Sequence, residues 1–144
     1  MKHKGAIMEY SKERMDDLMR AYDEYISSCD YIRMSEVYKI IVNMPSRRFW
    51  VSDIRAALII SAMMRGKTDL STMCPLKKEM YEEIYNRVFK LQEEYPKLTI
   101  SELCAKVIAQ PAPKFYLTPG SAKVMVCKAR KQWIQEKWKR LRLL

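Results

Sequence analysis

The sequence predicts an all-α protein built as a tandem duplication of a three-helix unit, about six helices in all, the last long and basic. Three observations carry this expectation. The chain of 144 residues holds 11 Met and only 3 Gly, with 49% hydrophobic and 31% charged residues, a balance typical of a folded helical protein. No stretch alternates apolar and polar residues for long enough to define a strand. Finally, EVYKIIVNMPSRRFWVSDIRAA (36–57) aligns without a gap over ELCAKVIAQPAPKFYLTPGSAK (102–123), an offset of 66 residues. In that alignment Glu36 meets Glu102, Pro45 meets Pro111, Phe49 meets Phe115, Trp50 meets Tyr116, Ser52 meets Thr118 and Ala56 meets Ala122. The same offset places KERMDDLM (12–19) over KEMYEEIY (78–85). The implied organisation is a first repeat over 1–70 and a second over 71–144, packed together as one compact domain.

Each element has a local reason. Met15, Leu18, Met19, Tyr22, Tyr25 and Ile26 recur at helical spacing and predict a first helix over about 9–28. Val37, Ile40, Ile41 and Met44 mark a short second helix over about 35–43, and Pro45 discourages its continuation. Ser52 is placed to cap a third helix, with Asp53 in the first turn and Gly66 suited to a left-handed stop. That third helix contains IRAALIISAMM (54–64), apolar nearly all round and therefore expected to be buried on most sides. In the second half, Met80, Ile84, Val88 and Leu91 predict a helix over about 76–94, ended before Pro96. Thr99-x-x-Glu102 reads as a capping box for a helix to about Ala109. Thr118-Pro119 supplies an N-cap and first helical position for a last helix reaching about Leu141.

The connections MPSRRFWVS (44–52) and QPAPKFYLT (110–118) set a choice between gripping a ligand and bracing the fold. The proline and paired aromatics recur in both, whereas Arg47 and Arg48 correspond to Pro113 and Lys114. What both copies keep is what each unit needs to fold, so Pro45, Phe49, Trp50, Pro111, Phe115 and Tyr116 are expected as structural anchors. Arg47, Arg48 and Lys114 remain candidates for phosphate contact.

Charge is the main clue to partners. The net charge is +10; residues 1–66 carry 11 Lys/Arg against 9 Asp/Glu, residues 67–113 carry 7 against 7, and residues 114–144 carry 9 against 1. An excess confined to the last fifth of the chain points to an anionic partner, nucleic acid first. The candidate nucleic-acid contacts there are Lys123, Lys128, Arg130, Lys131, Lys137, Lys139, Arg140 and Arg142. Ala129, Trp133, Ile134 and Trp138 are expected to continue the apolar seam of the same helix. A solvated or protein-contacting face is the alternative, and a helix lying on an anionic membrane is disfavoured. DNA is favoured over RNA because the chain offers capped helices rather than a stacking sheet.

Catalytic chemistry has little to stand on. His3 is the one histidine, on a terminus expected to fray, and Cys29, Cys74, Cys104 and Cys127 lack metal-ligand spacing. They are expected as free thiols of a reducing compartment. RGKTD (65–69) lacks the first glycine of a phosphate loop, having Ser61 there, and follows a helix instead of a strand. The acidic groups Asp16, Asp17, Asp23, Glu24 and Glu79, Glu82, Glu83 read as solvated helix faces. Neither enzyme activity nor a cofactor or metal is expected. With no apolar run long enough to span a membrane and no signal-peptide pattern, the expected location is cytoplasmic.

Two resemblances add to this reading. The helix, connection and capped helix of each half weakly resemble helix-turn-helix DNA-binding proteins over about 30 residues. The interval from about Asn43 to Ser52 is roughly twice their turn. GSAKVMVCKARKQW (120–133) fits a recognition helix better than IRAALIISAMM does. PSRRFWVS, RAALIISAMMRG and QPAPKFYLTPGSAK resemble segments of small basic proteins of Bacteroides-type gut bacteria and their phages or mobile elements. That resemblance implies a bacterial or phage-infected cytoplasm as the setting, where small DNA-associated proteins are common. It carries no functional residues. A phage or mobile-element structural or adaptor protein, acting through protein contacts or homo-oligomerisation, is the alternative function.

Overall fold

A computed structural model describes residues 4–67 and 72–143; His3 and the Thr68-Asp69 end of RGKTD lie outside them. The described residues form six helices: α1 (Lys4–Ser28), α2 (Met34–Ile41), α3 (Asp53–Met64), α4 (Pro75–Glu94), α5 (Ile100–Ile108) and α6 (Pro119–Arg142). The fold is all-α. Its one β-type feature among the described residues is an isolated antiparallel bridge between Ser46 and Ala112.

The helix ends follow from capping chemistry. Ser52 Oγ accepts from Arg55 N–H at 3.1 Å, Thr99 Oγ1 from Glu102 N–H at 3.2 Å and Thr118 Oγ1 from Ser121 N–H at 3.1 Å. Each side chain thereby satisfies one of the backbone donors that a helix leaves open at its start. At the end of α3, Gly66 takes φ +66°. Gly66 N–H donates to Met63 O at 3.1 Å and Lys67 N–H to Ala62 O at 3.0 Å. This double closure needs a left-handed residue, which glycine adopts without a Cβ penalty. The starts of α2 and α5 (Met34, Ile100) and of α3 and α6 (Asp53, Pro119) are 66 residues apart, whereas those of α1 and α4 (Lys4, Pro75) are 71 apart.

The helices group into two compact units, residues 45–116 and residues 1–44 with 117–144. These are not the expected halves, 1–70 and 71–144. In the 45–116 unit, α3 packs on α4 and α5, whereas α6 packs on α1 and α2. The unit of residues 1–44 and 117–144 centres on Leu18, Ala21, Val37, Ile41, Ala122 and Val126, all at 0% exposure, with the Tyr22 and Tyr38 rings stacked at 6.5 Å. The 45–116 unit centres on Phe49, Ile60, Ile84, Val88, Leu103 and Val107.

Two expectations about faces are corrected. Asp17 is buried, not solvated, at 1% exposure. Arg20, one turn on, donates Nε and Nη2 to the same carboxylate oxygen at 2.9 and 2.8 Å, so the charge enters the interior already paired. Helix α3 is not covered on most sides. Ala56 and Ile60 are buried, while Ile54 and Leu58 stand 66% and 62% exposed. A helix packed on two neighbours to one side keeps its remaining face open whatever its composition.

Candidate nucleic-acid interface

The connections between helices supply the first part of the candidate site. Ser46 N–H donates to Ala112 O and Ala112 N–H to Ser46 O, each at 3.0 Å, pairing the two proline-bearing segments. The buried Ser46 hydroxyl donates to Arg48 O at 2.8 Å and lies 3.3 Å from Lys114 O. Phe49 is buried and its N–H donates to Ile108 O at 3.0 Å. Its ring stacks on that of Tyr116 at a centroid separation of 6.1 Å and 18° between planes. Arg87, which sequence reasoning passed over, completes the joint. Its guanidinium carbon lies 4.9 Å from the Phe49 ring centre, and it donates to Gln110 Oε1 at 3.2 Å and Pro111 O at 2.9 Å.

Among the expected anchors, Phe49, Phe115 and Tyr116 are buried and Trp50 is half-buried. Pro45 and Pro111 are exposed, so they act by restricting the backbone rather than by filling the interior. Tyr116 is the one non-glycine residue with positive φ, +57°, among the described residues. That conformation costs about 1–2 kcal/mol for a residue bearing a Cβ, and the packing of its ring must offset it. Burial, with Glu83 and Glu79 nearby, pushes its phenol up to about 12 against the opposing effect of Arg87.

Internal contacts engage the candidate cations Arg48 and Lys114. Arg48 donates from Nε to Phe49 O at 3.2 Å and from Nη2 to Val51 O at 3.3 Å, with its guanidinium over the Trp50 ring at 5.3 Å. Lys114 pairs with Glu79 and lies over the Tyr116 ring at 5.6 Å. Arg47 is exposed.

Helix α6 presents a different surface. Only Ala122 and Val126 are buried, and every residue from Lys131 to Leu143 is exposed. Lys123, Lys128, Arg130, Lys131, Lys137, Lys139, Arg140 and Arg142 all stand in solvent on this one element. Trp133, Ile134 and Trp138, expected to continue the packed seam, are 62%, 46% and 60% exposed. The register explains this. Ala122, Val126, Ala129 and Trp133 do lie on one face, but the face is covered only as far as Ala129. Lys137 Nζ instead sits over the Trp133 ring at 5.1 Å.

A third surface is apolar. Ile54, Ala57, Leu58, Ser61, Met64 and Arg65 of α3, with Ile100 and Ser101 of α5, line an open groove of about 630 Å³. Cys29, Cys74, Cys104 and Cys127 are free thiols, and burial raises Cys104 to about 11, which keeps it protonated and unreactive near neutrality. No helix among the described residues is long and apolar enough to cross a membrane. No family model, curated protein or solved structure matches the chain.

Proposed function

We propose that the protein is a non-enzymatic nucleic-acid-binding protein of a bacterial or phage-infected cytoplasm, with duplex DNA favoured over RNA and α6 as its electrostatic footprint. The observation that carries this reading is the placement of eight exposed Lys and Arg side chains on a single helix. The only acidic residue between 114 and 144 is Glu136. Such a helix gains affinity from every phosphate it neutralises by releasing condensed counterions, with little sequence information in the contact. Arg48 and Lys114 make internal contacts, so the reading rests on α6 and not on the joint. The same reading takes the two halves as a duplication whose third helices have been exchanged, supported by the 66-residue interval between the starts of the second and of the third helices.

The test is anisotropy of a labelled duplex titrated over a range of salt. Log affinity should fall linearly with log salt, and changing Lys128, Arg130 and Lys131 together to Gln should lower the slope by about 2–3. Competition by unlabelled RNA separates the two nucleic acids. Binding that ignores both salt and the triple change overturns the reading. A second reading, an adaptor acting through protein contacts, is favoured by the apolar α3 groove, where Ile54 and Leu58 face solvent. A stable oligomer by light scattering at high salt, free of nucleic acid, would support it.

A further inference from the structure

Beyond its charge, α6 carries a second pattern. Val124, Cys127, Lys131, Ile134, Trp138 and Leu141 are separated by three, four, three, four and three residues, the a and d spacing of a heptad seam. None of the six is buried: Val124 is 67% exposed, Ile134 46%, Trp138 60% and Leu141 51%, with Cys127 and Lys131 exposed as well. The residues α6 uses inside its own unit, Ala122, Met125, Val126 and Ala129, fall at the b, c and f positions, on the opposite side of the helix. Cys127 also hydrogen-bonds Tyr38 of α2, so the seam leaves the packed side there: α6 has one apolar face packed on α1 and α2 and, from Lys131 onward, a second that is open.

We propose that this open face docks an acidic amphipathic helix of another protein. Charge identifies the occupant. The positions flanking the seam are Lys123, Arg130 and Lys137 on one side and Lys128, Gln135 and Arg142 on the other, five of the six being basic. Flanking residues of this kind set partner choice in paired helices. A second copy of this chain would bring lysines and arginines against one another in either orientation. It would also place Lys131 of each chain in or beside the core of the pair. A partner with Glu at the flanking positions and at the layer facing Lys131 turns each repulsion into an ion pair, while its apolar seam covers Ile134, Trp138 and Leu141. The acidic helix and nucleic acid would compete for the same cations, so the two ligands exclude each other.

The probe is a synthetic helix about three heptads long, with Leu at a and d, Glu at e and g and one Glu at the layer opposite Lys131. A scrambled peptide of identical composition breaks the seam and keeps the charge. Calorimetric titration of the full chain should give at least tenfold tighter binding for the patterned peptide. Trp138→Ala with Leu141→Ala should remove that advantage, whereas Trp133→Ala, off the seam at a c position, should keep it. All three side chains are exposed, so the variants should melt like the parent. Equal binding of the scrambled peptide, or an undiminished advantage in the Trp138/Leu141 variant, overturns the proposal. So does self-association of the chain through α6 that excludes the peptide. Duplex binding is read separately: it follows the cations and should be little changed by Trp138→Ala with Leu141→Ala, so either ligand can fail without the other.

Discussion

At the scale of the residue, Tyr116 combines a positive φ, a buried ring and a phenol pKa raised well above the ordinary value. Burial disfavours the phenolate, so the pKa rises from 10.0 to about 12 in the folded protein. Between those values the folded state binds more protons than the unfolded one. The unfolding free energy consequently falls as pH rises through that window, by up to about 1.4 kcal/mol per pH unit for this group. Below pH 10 the contribution is fully present. Tyr116→Phe keeps the ring stacked on Phe49 and removes the titration, so its stability should decline less steeply than the parent's above pH 10. Urea midpoints measured for both proteins across the range decide it, and the Cys104 thiol, raised to about 11, contributes equally to each. The buried ring was legible in the sequence, where Tyr116 aligns with Trp50 as an expected anchor; the positive φ and the raised phenol were not. A left-handed tyrosine is imposed by the path of the connection around it, not by its own preference. Asp17 is the converse case: Arg20 three residues later is the local signal of a paired carboxylate, and it was there to be read.

Elements are where sequence and structure agree most closely, and the reason is that helix starts are set by local chemistry. Ser52, Thr99 and Thr118 each sit one residue before a helix and each accepts the expected backbone hydrogen bond. A cap needs only a short side chain with an acceptor at one position, so it survives any uncertainty about tertiary packing. Thr118→Ala should cost about 1 kcal/mol, read as a lower urea midpoint at unchanged slope. Thr118→Asp should hold stability within a few tenths of a kcal/mol, because a carboxylate caps as well and suits the positive end of the helix. A loss as large in the Asp variant as in the Ala variant would mean that Thr118 contributes through packing instead. The extent to which a helix face is covered is less legible. The register of Trp133 with Val126 is correct, yet where the covering helices stop is a property of other parts of the chain. For the same reason an apolar stretch such as IRAALIISAMM does not reveal that Ile54 and Leu58 remain open.

For the whole molecule, chain order and compact units part company. The sequence suggests that each run of three helices folds on itself, because neighbours along a chain most often pack together. Instead α3 joins α4 and α5, and α6 returns to α1 and α2. The sequence pattern cannot announce this: where α3 and α6 present similar apolar faces, either set of partners satisfies them. What selects between the arrangements is the length and course of the connections, here the segments paired through Ser46 and Ala112. The arrangement has a direct consequence for local stability. Ile60 of α3 is 0% exposed within the core that contains Ile84, Val88, Leu103 and Val107. Ile60→Ala should destabilise its surroundings by about 2–5 kcal/mol. Native-state hydrogen exchange should then show protection lost chiefly in α4 and α5, which lie after α3 in the chain, and largely retained in α1 and α2, which precede it. Val126→Ala in α6 should do the opposite at about 2 kcal/mol, loosening α1 and α2, the helices farthest from it in sequence. If Ile60→Ala instead exposed α1 and α2 while sparing α4 and α5, the helices would be grouped by sequence half, and the packing of α3 with α4 and α5 would be refuted.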